Sequence, residues 1–576
     1  MWLKKYGVYG VVFMIVFVFL LCAKYPFANF SGTRDSYYHT GHSMAYKFHT
    51  PFNYPQLTYL NEYPSDPWWG YHQLLALSYT GLEQGDIKAI VTRTILLHIF
   101  LSSLLIVSIT LLAVEYYRHM QPLYKRLLRV HSIPDAQTII SAATVAKVVL
   151  PVLFFLTSLL FLYRATFMER PHVLMIMFVV MGMYFLLKRQ YWWLSLMAVL
   201  SVLCYSMSLF IFLPATVTLV GWLLVDRSKT GLVEAMKPFW YTVFGFVIGV
   251  LLHPASWGYL LNGVFFHAFA ILQSFSWFID SELSVLGIPG EMMYNKSLTF
   301  SAPLVILTTV FTGIVWHRLV SGRKEFQVLS RQHRSLFTIE AGFSVVALAL
   351  GLASFFVLRT AEYSSPFLSV GFVAFFFGFL LPVLKLLHEK IIEDKSEFSS
   401  FYRQAVRVSV VWYRSSLLRG LFVVCICLLI VSVFTYGKTR ANLYPMDRLL
   451  GANNFLAGEE GRGVILGNDF ASYAQGSFQT PDHLYAQGMD PRMTYFFDEQ
   501  VGFCVNAFLR AVRTDGVHFD GDACMPEVVE RFNITHFLLD GTDATDSVLN
   551  YYEERLNLEL VYQDEKYPQV KVYRVE

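Results

Sequence analysis

Charged residues are scarce in this chain: only 15% of its 576 residues are Asp, Glu, Lys or Arg. Soluble globular proteins have about 25% charged residues, so this shortage argues against an ordinary soluble protein. Hydrophobic residues make up 55% of the chain and aromatic residues 17%, and long apolar runs recur between charged patches. Runs of roughly 20 apolar residues cross a bilayer as helices, so the sequence predicts an α-helical polytopic membrane protein.

Several motifs that carry well-known chemistry are also missing. The chain has no Gly-x-Ser-x-Gly elbow for a nucleophilic serine, no Gly-rich phosphate loop for a nucleotide and no His-Glu-x-x-His for a zinc peptidase. The formal net charge of +3 gives no indication of nucleic acid as a partner. Internal repeats, which are frequent in transporters, are not apparent.

Cysteine is rare, with six residues in the whole chain. Four of them lie in apolar runs, where a free cysteine behaves as a small core residue. The other two, Cys504 and Cys524, lie in the polar carboxyl-terminal part. They are a disulfide candidate if that part faces an oxidising compartment.

The apolar runs predict about eleven transmembrane helices. The first run follows Lys4 and Lys5, but no small-x-small cleavage site comes after it, which favours a retained helix over a signal peptide. The predicted spans are 6–23, 91–113, 139–163, 172–187, 191–207, 209–225, 239–257, 301–319, 338–358, 366–386 and 417–436.

The basic residues lie in alternate connections between these spans. Lys188, Arg227 and Arg334 are examples, and all such positions fall on one side if the eleven spans alternate. The positive-inside rule makes that side the cytoplasm, so the amino terminus is expected inside and the carboxyl-terminal part outside. The expected outer segments are 24–90, 164–171, 258–300, 359–365 and 437–576, and they carry acidic, histidine and aromatic residues.

The chain is expected to divide into a transmembrane domain, 1–436, with a long first outer loop at 24–90, and an extracytoplasmic domain, 437–576. In the second domain "GRGVILGND" is typical of a short buried strand, "PEVVERFNITHFLLDG" of a helix followed by a strand, and "LELVYQDEKYPQVKVYRVE" of a hairpin. The alternation of helix and strand predicts a small α/β domain.

The first outer loop contains "SGTRDSYYHTGH", which has unusual chemistry for a connector. If 35–48 is helical, Asp35, Tyr38, His39 and His42 share one face. A carboxylate there could serve as a general base or hold a divalent cation. The alternative is a solvated helix whose aromatic residues lie at the membrane interface.

Later in the same loop, "YPSDPWWGYH" places Asp66 beside Trp68, Trp69 and His72. Flat aromatic rings beside acids suit sugars, because the C–H face of a sugar packs on indole while its hydroxyls bond to carboxylates. For the tryptophans alone, an interfacial aromatic belt explains the sequence better.

Three further outer segments carry ionisable residues close to predicted spans. "RATFMERPH" contains Glu169, Arg170 and His172, and charges at membrane depth are costly enough to suggest function; the alternative is an ion pair at the headgroup level. In "LLHPASWGY", His253 ends a span, which is more often a structural position. "RTAEYSSP" is expected to be a short turn in which Arg359 could clamp a lipid phosphate.

Taken together, these motifs resemble the GT-C superfamily of membrane glycosyltransferases, which includes oligosaccharyltransferase catalytic subunits, protein mannosyltransferases and aminoarabinose transferases. "TRDSYYH" resembles the acidic motif after the first helix of those proteins, "MERPH" their second acidic turn and "RTAEYSSP" a late loop that contacts the donor. "GMDPRMTY", at 488–495, resembles a segment of the outer domains of bacterial members, which implies a bacterial inner membrane. The WWD-type signature of oligosaccharyltransferases does not occur.

The resemblance implies inverting transfer of a sugar from a polyprenyl-phosphate-linked donor to a glycan, lipid or protein acceptor, in a chain that also contacts membrane lipids. It implies that Asp35 is the base or a metal ligand, and that Arg359 binds the lipid phosphate. It allows a divalent cation, Mg or Mn, as cofactor. Residues implied in metal or donor binding are Glu169, Arg170, His172, His39 and Glu362; those implied in substrate binding are Tyr38, His42, Asp66, Trp68, Trp69, His72 and His253.

Three other functions fit a chain of this kind. A polysaccharide polymerase or ligase would use the same donors. A lipid or sugar transporter would need no catalysis and would place ionisable groups near the bilayer midplane. A receptor or assembly protein would use the carboxyl-terminal domain as a binding module. Loss of activity on changing Asp35, with membrane expression retained, separates an enzyme from a scaffold.

Overall fold

The computed structural model describes residues 2–24, 34–48, 66–130, 169–260, 264, 334–353, 358–375, 448–459, 463–467, 483–485, 504, 524–540 and 556–576. The predicted spans 139–163, 301–319 and 417–436 and the segment 488–495 lie outside these residues. Asp35 and Arg359 belong to described helices, but their side chains are not among the described ones.

Helices make up most of the described chain. They are α1 (Trp2–Lys24), α2 (Arg34–Phe48), α3 (Trp69–Ser78), α4 (Ile87–Val130), α5 (His172–Leu187), α6 (Tyr191–Cys204), a 3₁₀ helix (Ser208–Phe212) that continues into α7 (Leu213–Gly221) and a π turn (Trp222–Asp226), α8 (Lys229–Leu252), α9 (Arg334–Ala353), α10 (Leu358–Phe375), α11 (Leu450–Gly458) and α12 (Met525–Phe532).

Four helical stretches are long and apolar enough to cross a membrane: Ile87–Pro122, Ser208–Asp226, Lys229–Leu252 and Arg334–Gly351. Shorter apolar helices cover Tyr9–Cys22, His172–Leu187 and Tyr191–Cys204. The protein is therefore an integral membrane protein, with membrane-length or shorter apolar helices at seven of the eleven predicted spans.

Ion pairs join the helices at one end of the bundle. Lys188, in the turn between α5 and α6, lies 2.7 Å from Glu115 of α4. Arg334, at the start of α9, lies 2.9 Å from Asp226, where the chain turns towards α8. We call this the basic end. Lys188 and Arg334, which the sequence assigns to the same side of the membrane, thus both lie at this end.

Glycines allow close contact between neighbouring helices. A Cβ atom on Gly245 of α8 would lie 2.1 Å from the carbonyl oxygen of Ser195 in α6, and one on Gly342 of α9 would lie 1.8 Å from that of Val217 in α7. Small residues let membrane helices approach closely, because their association depends on packing rather than on the hydrophobic effect.

The segment "RTAEYSSP", predicted as a turn, is helical, and this prediction was wrong. Helix α10 begins at Leu358 and continues past Pro366 to Phe375. The helix runs through Glu362, which is buried at 2% exposure. The ring of the adjacent Tyr363 stacks on Phe210, with ring centroids 3.9 Å apart.

The carboxyl-terminal part contains a small mixed sheet. Its strands are β1 (Val464–Gly467), β2 (Leu484–Tyr485), β3 (His536–Asp540), β4 (Leu558–Gln563) and β5 (Val570–Val575). The strand order is β2-β1-β3-β5-β4; β1 is parallel to β2 and β3, and β5 is antiparallel to β3 and β4. The predicted strand, helix–strand pair and terminal hairpin are all present.

The two faces of this sheet are covered by different residues. Val464, Leu466 and Phe537 pack with α12, whereas Ile465 and Leu538 face the side of α11 and join the large core cluster that includes the membrane helices. A disulfide links Cys504 to Cys524, the residue that precedes α12. The sheet is therefore buried on both faces, and one cluster of buried side chains connects it to the helical part.

Candidate active site

The end of the bundle opposite the basic end collects the acidic, histidine and aromatic residues of the predicted motifs. Helix α2 lies there, packed on α3 and α4. Every residue from Ser36 to Ala45 is buried. We call this region the histidine end. The helix that the sequence predicts over 35–48 is present, and the burial of Ser36 to Ala45 excludes the alternative of a solvated loop helix.

Ser36 connects the first motif to the second. The Ser36 hydroxyl donates a short hydrogen bond to Oε2 of Glu169, which comes from the "MERPH" turn 133 residues later. Glu169 is fully buried, and α5 begins three residues after it, at His172. The first turn of α2, which includes the backbone of Asp35, therefore lies against the second acidic segment.

Three imidazoles pack closely between α2 and α3. Nδ1 of His39 lies 2.8 Å from Nε2 of His72, and Nδ1 of His72 lies 2.6 Å from Oδ2 of Asp66. The ring of His42 stacks on that of His72, with centroids 5.3 Å apart. The result is a continuous hydrogen-bonded chain from His39 through His72 to Asp66, and all its members are buried.

The Asp66 carboxylate is held by three donors. Besides His72, the hydroxyl of Tyr46 donates to Oδ2 and the backbone N–H of Trp68 donates to Oδ1, each at 3.0 Å. Burial alone would raise the pKa of Asp66, but the charge and hydrogen bond of His72 outweigh it, so the pKa lies below its ordinary value. Asp66 is thus an ionised residue bound by protein groups.

His253 binds the backbone of the same residue. Its Nε2 donates to the carbonyl oxygen of Asp66 at 3.1 Å, and its Nδ1 accepts from the N–H of Ala255 at 3.2 Å. Burial lowers the pKa of His253 to about 4, against the opposing influence of Asp66. His253 is a neutral residue that attaches the end of α8 to the first loop.

Aromatic rings surround the histidine chain. Trp68 lies edge-on to His39 and Tyr38, with centroids 5.4 and 5.7 Å away, and Tyr38 lies 4.1 Å from His42. Trp69 lies against His253 at 6.4 Å. The indole of Trp68 therefore packs on the histidine cluster, in addition to any contact with a sugar.

Tyr71 is a fully buried phenol beside the histidine cluster. The Tyr71 ring lies 5.5 Å from that of His39. Burial raises the pKa of Tyr71 well above its ordinary value, and the charge of Glu169 raises it further. Burial lowers the pKa of His39, and the charges of neighbouring histidines, which include His72 and His172, lower it further. At neutral pH His39 is therefore an uncharged imidazole, and His172 is among the groups whose charge acts on it.

The predicted site residues divide into three groups. Tyr38, His39, His42, Asp66, Trp68, Trp69, His72 and His253 form one connected cluster, and Glu169, Arg170 and His172 lie beside it. Glu362 is buried at the start of α10, at the same end of the bundle. The Asp35 and Arg359 side chains lie outside the described ones, so their roles stay predictions.

The described side chains do not form a metal centre: no three His, Cys, Asp or Glu residues among them converge closely enough to hold an ion. His39, His72 and Asp66 are close together, but their facing nitrogen and oxygen atoms bond to one another instead of pointing at a common centre. A requirement for Mg or Mn stays a prediction.

Sequence patterns did not predict two features of this site. Ser36 lies next to Asp35 and gives no signal of its own; only the fold brings it to Glu169. The bond between His39 and His72 joins residues 33 positions apart. His39 lies on α2 and His72 on α3, and only the packing of these two helices brings the two rings together.

No family model and no curated protein matches this chain. Solved structures of an oligosaccharyltransferase from Archaeoglobus fulgidus do match. The form tethered to an acceptor peptide gives a TM-score of 0.49 at 13% identity over 94% of this chain and 70% of the other. The apo form gives 0.48 at 13% identity, and the complex of AglB with an inhibitory peptide and a dolichol-phosphate gives 0.48 at 12%.

An identity of 12 to 13% is too low to transfer the role of any residue from one chain to the other. The function must therefore be argued from the residues of this chain.

Proposed function

We propose that this protein is a membrane glycosyltransferase that moves a sugar from a polyprenyl-phosphate-linked donor to an acceptor at the outer face of the membrane. The acceptor is a glycan, lipid or protein of the cell envelope. The observation that carries the proposal is the hydrogen bond between Ser36 and Glu169. It brings the first turn of α2 against the second acidic segment, so two motifs distant in sequence form one site.

Sugar transfer from a lipid-phosphate donor needs few catalytic groups. A lipid phosphate is already a good leaving group, so catalysis requires stabilisation of its charge more than a strong acid. Arg170 lies in the same turn as Glu169 and is suited to that role, together with Arg359 at the start of α10. Asp35 takes the proton of the acceptor hydroxyl as the oxygen attacks the anomeric carbon. A single displacement of this kind inverts that carbon.

The two ends of the bundle support the placement of this site. Lys188, Arg227 and Arg334 collect at the basic end, which the positive-inside rule assigns to the cytoplasm. The histidine end then faces outward, together with the domain that carries the Cys504–Cys524 disulfide. A disulfide suits an oxidising compartment, which agrees with this orientation.

The proposal is tested by sugar release from a panel of radiolabelled polyprenyl-phosphate sugars, using the protein in liposomes. Hydrolysis counts as release, so no acceptor need be known. We expect wild type to release at least one sugar and Asp35→Asn to lose roughly 10²- to 10⁴-fold in rate, the usual contribution of a general base.

Two outcomes would contradict parts of this proposal. If folded wild-type protein released no sugar from any donor, with purified envelope glycans supplied as acceptors, the transferase function would be wrong. Equal rates for wild type and Asp35→Asn would leave the transferase function intact but would show that Asp35 is not its catalytic base.

A further inference from the structure

The turn between α5 and α6 holds an arginine where glycine is the usual residue. The N–H of Arg189 bonds to the carbonyl oxygen of Leu186, and the N–H of Gln190 to that of Phe185, each at 2.9 Å. These two bonds form a Schellman motif, in which Arg189 takes the left-handed conformation at φ 56°. Glycine adopts this conformation without strain, so the local backbone does not explain an arginine here.

Two lysines beside Arg189 are paired with acids, whereas Arg189 is not. Nζ of Lys188 lies 2.7 Å from Glu115, and Nζ of Lys237 lies 2.6 Å from Glu234. The charge of Arg189 acts on Lys237, yet within the described part of the chain its guanidinium makes no hydrogen bond or ion pair. Both acids are thus neutralised by lysines, which leaves the positive charge of Arg189 unbalanced.

The packing of α6 against α8 brings a phenol and a lysine to this place. The rings of Tyr191 and Tyr241 lie 5.5 Å apart, and Lys237 precedes Tyr241 by one turn of α8. The Ser195 hydroxyl donates to the carbonyl oxygen of Tyr241 at 2.6 Å, which joins the two helices at this level. The charges of Arg189 and Lys237 both act on the Tyr191 phenol. Two cations and a hydroxyl donor therefore form a cluster that suits a phosphate group.

Exposed aromatic rings lie next to this cluster. Trp192 and Trp193 are 67% and 52% exposed. Trp193 stacks on Phe185 with ring centroids 5.8 Å apart, and Trp192 lies edge-on to Tyr241 at 5.1 Å. Further exposed apolar side chains follow along α6 and α8: Leu196, Phe244, Val247 and Leu251. In a membrane protein such a face lies against acyl chains, and tryptophans at its polar end lie at the level of the lipid headgroups.

We propose that Arg189, Lys237 and Tyr191 bind the phosphate of an anionic phospholipid, in the leaflet at the basic end of the bundle, and that the exposed tryptophans contact its acyl chains. The ligand is a lipid because free phosphate would leave the adjacent apolar face uncovered. Its headgroup is anionic because a zwitterionic headgroup brings its own cation and does not balance Arg189. Lys237 can take part, since its ammonium has three donors and uses one for Glu234.

This lipid site lies at the end of the bundle opposite the proposed active site. It takes no part in the proposed sugar transfer and does not depend on it. Basic residues at the membrane surface are a recognised feature of anionic lipid binding. Here the turn, the helix pair and the rings together select one place among the basic residues of that end.

Arg189→Gly removes the cation without disturbing the turn, because glycine is the residue that a left-handed position favours. Arg189→Asn is a second variant, since asparagine also tolerates this conformation. Arg227→Gly is the matched control. Arg227 is likewise exposed and left-handed, at φ 50°, but its Nε donates to the carbonyl oxygen of Leu223 at 2.7 Å. Each substitution removes one positive charge from the basic end, so the general attraction to anions is equally reduced.

Lipid affinity is measured by native mass spectrometry of the full-length protein in detergent, titrated with phosphatidylglycerol or with phosphatidylcholine of the same chain length. We expect wild type to bind phosphatidylglycerol about tenfold more tightly than phosphatidylcholine. Both Arg189 variants should lose about fivefold in affinity for phosphatidylglycerol, the usual contribution of one basic residue near an anionic headgroup, with phosphatidylcholine binding unchanged. Arg227→Gly should keep the affinity of wild type. Glycerol phosphate, the soluble headgroup alone, should not displace the lipid.

Four results would overturn the inference. Equal affinity for phosphatidylglycerol in wild type and Arg189→Gly would show that Arg189 does not bind the headgroup. The same loss in Arg227→Gly would reduce the effect to general attraction between charges. Displacement of the lipid by glycerol phosphate would identify a site for soluble phosphate. Failure of both Arg189 variants to fold would give the arginine a structural role instead. Sugar release is not measured here, so none of these results bears on the transferase function.

Discussion

At the scale of single residues, burial lowers the pKa of His39, His42 and His253 and keeps these three rings neutral. His253 is the clearest example, because both ring nitrogens are used: Nε2 donates to the Asp66 carbonyl and Nδ1 accepts from Ala255. A protonated His253 would lose the acceptor at Nδ1 and place a charge in a buried position. The bond between the end of α8 and the first loop therefore depends on a neutral ring.

This dependence predicts a loss of stability in acid. The pKa of His253 is about 4 in the folded protein and near 6.5 when unfolded, so the unfolded state binds more protons between these values. The contribution of His253 is complete above pH 6.5 and decreases as the pH falls towards 4, by about 2 kcal/mol at pH 5.

Thermal unfolding of wild type and His253→Gln at pH 7.5 and pH 5 measures the effect. Gln keeps a donor for the Asp66 carbonyl but does not titrate. We expect the difference between the two pH values to be smaller in His253→Gln. An identical difference in both proteins would show that His253 does not titrate as described.

At the scale of elements, the sequence predicts where helices and strands lie better than where they end. Apolar runs of about 20 residues locate α4 and α8, and short apolar runs beside polar segments locate β1 and β3, because both kinds of run reflect burial on all sides. Helix α10 begins earlier than predicted because Glu362 is buried, and burial of a charged residue depends on its partners in the fold. Contacts between elements, such as His39 with His72, are set by packing that no local pattern encodes.

Packing between α6 and α8 supplies a prediction at this scale. Gly245→Ala places a Cβ atom 2.1 Å from the Ser195 carbonyl oxygen, so one helix must move. Overpacking of this kind costs about 1–3 kcal/mol. We expect a lower unfolding temperature in detergent for Gly245→Ala.

Gly10→Ala is the matched control, because it also lies in an apolar helix but a Cβ atom there meets nothing within 4 Å. Alanine is the better helix former, so Gly10→Ala should be neutral or slightly stabilising. Equal destabilisation by both substitutions would contradict the close contact between α6 and α8.

At the scale of the whole molecule, the buried acids and the interhelical ion pairs of the described helical part form two layers, one at each end of the bundle. The histidine end holds Asp66, His39 and Glu169, and the basic end holds Glu115–Lys188 and Asp226–Arg334. A hydrogen bond from a hydroxyl to a glutamate occurs in each layer: the buried bond from Ser36 to Glu169 at one end, and the half-buried bond from Tyr116 to Glu340 at the other. The proposed function assigns catalysis to the first layer alone.

The most direct test of that claim compares sugar release by Glu169→Gln and Glu340→Gln. Each substitution removes one negative charge from a glutamate that accepts a hydrogen bond from a hydroxyl. Glu169 is buried and Glu340 half-buried, so thermal unfolding of both variants is measured beside sugar release. We predict that Glu169→Gln loses about 100-fold in turnover, within the usual range for a charged active-site group, and that Glu340→Gln stays within threefold of wild type. Equal losses in both variants, or a loss in Glu340→Gln alone, would contradict an active site at the histidine end.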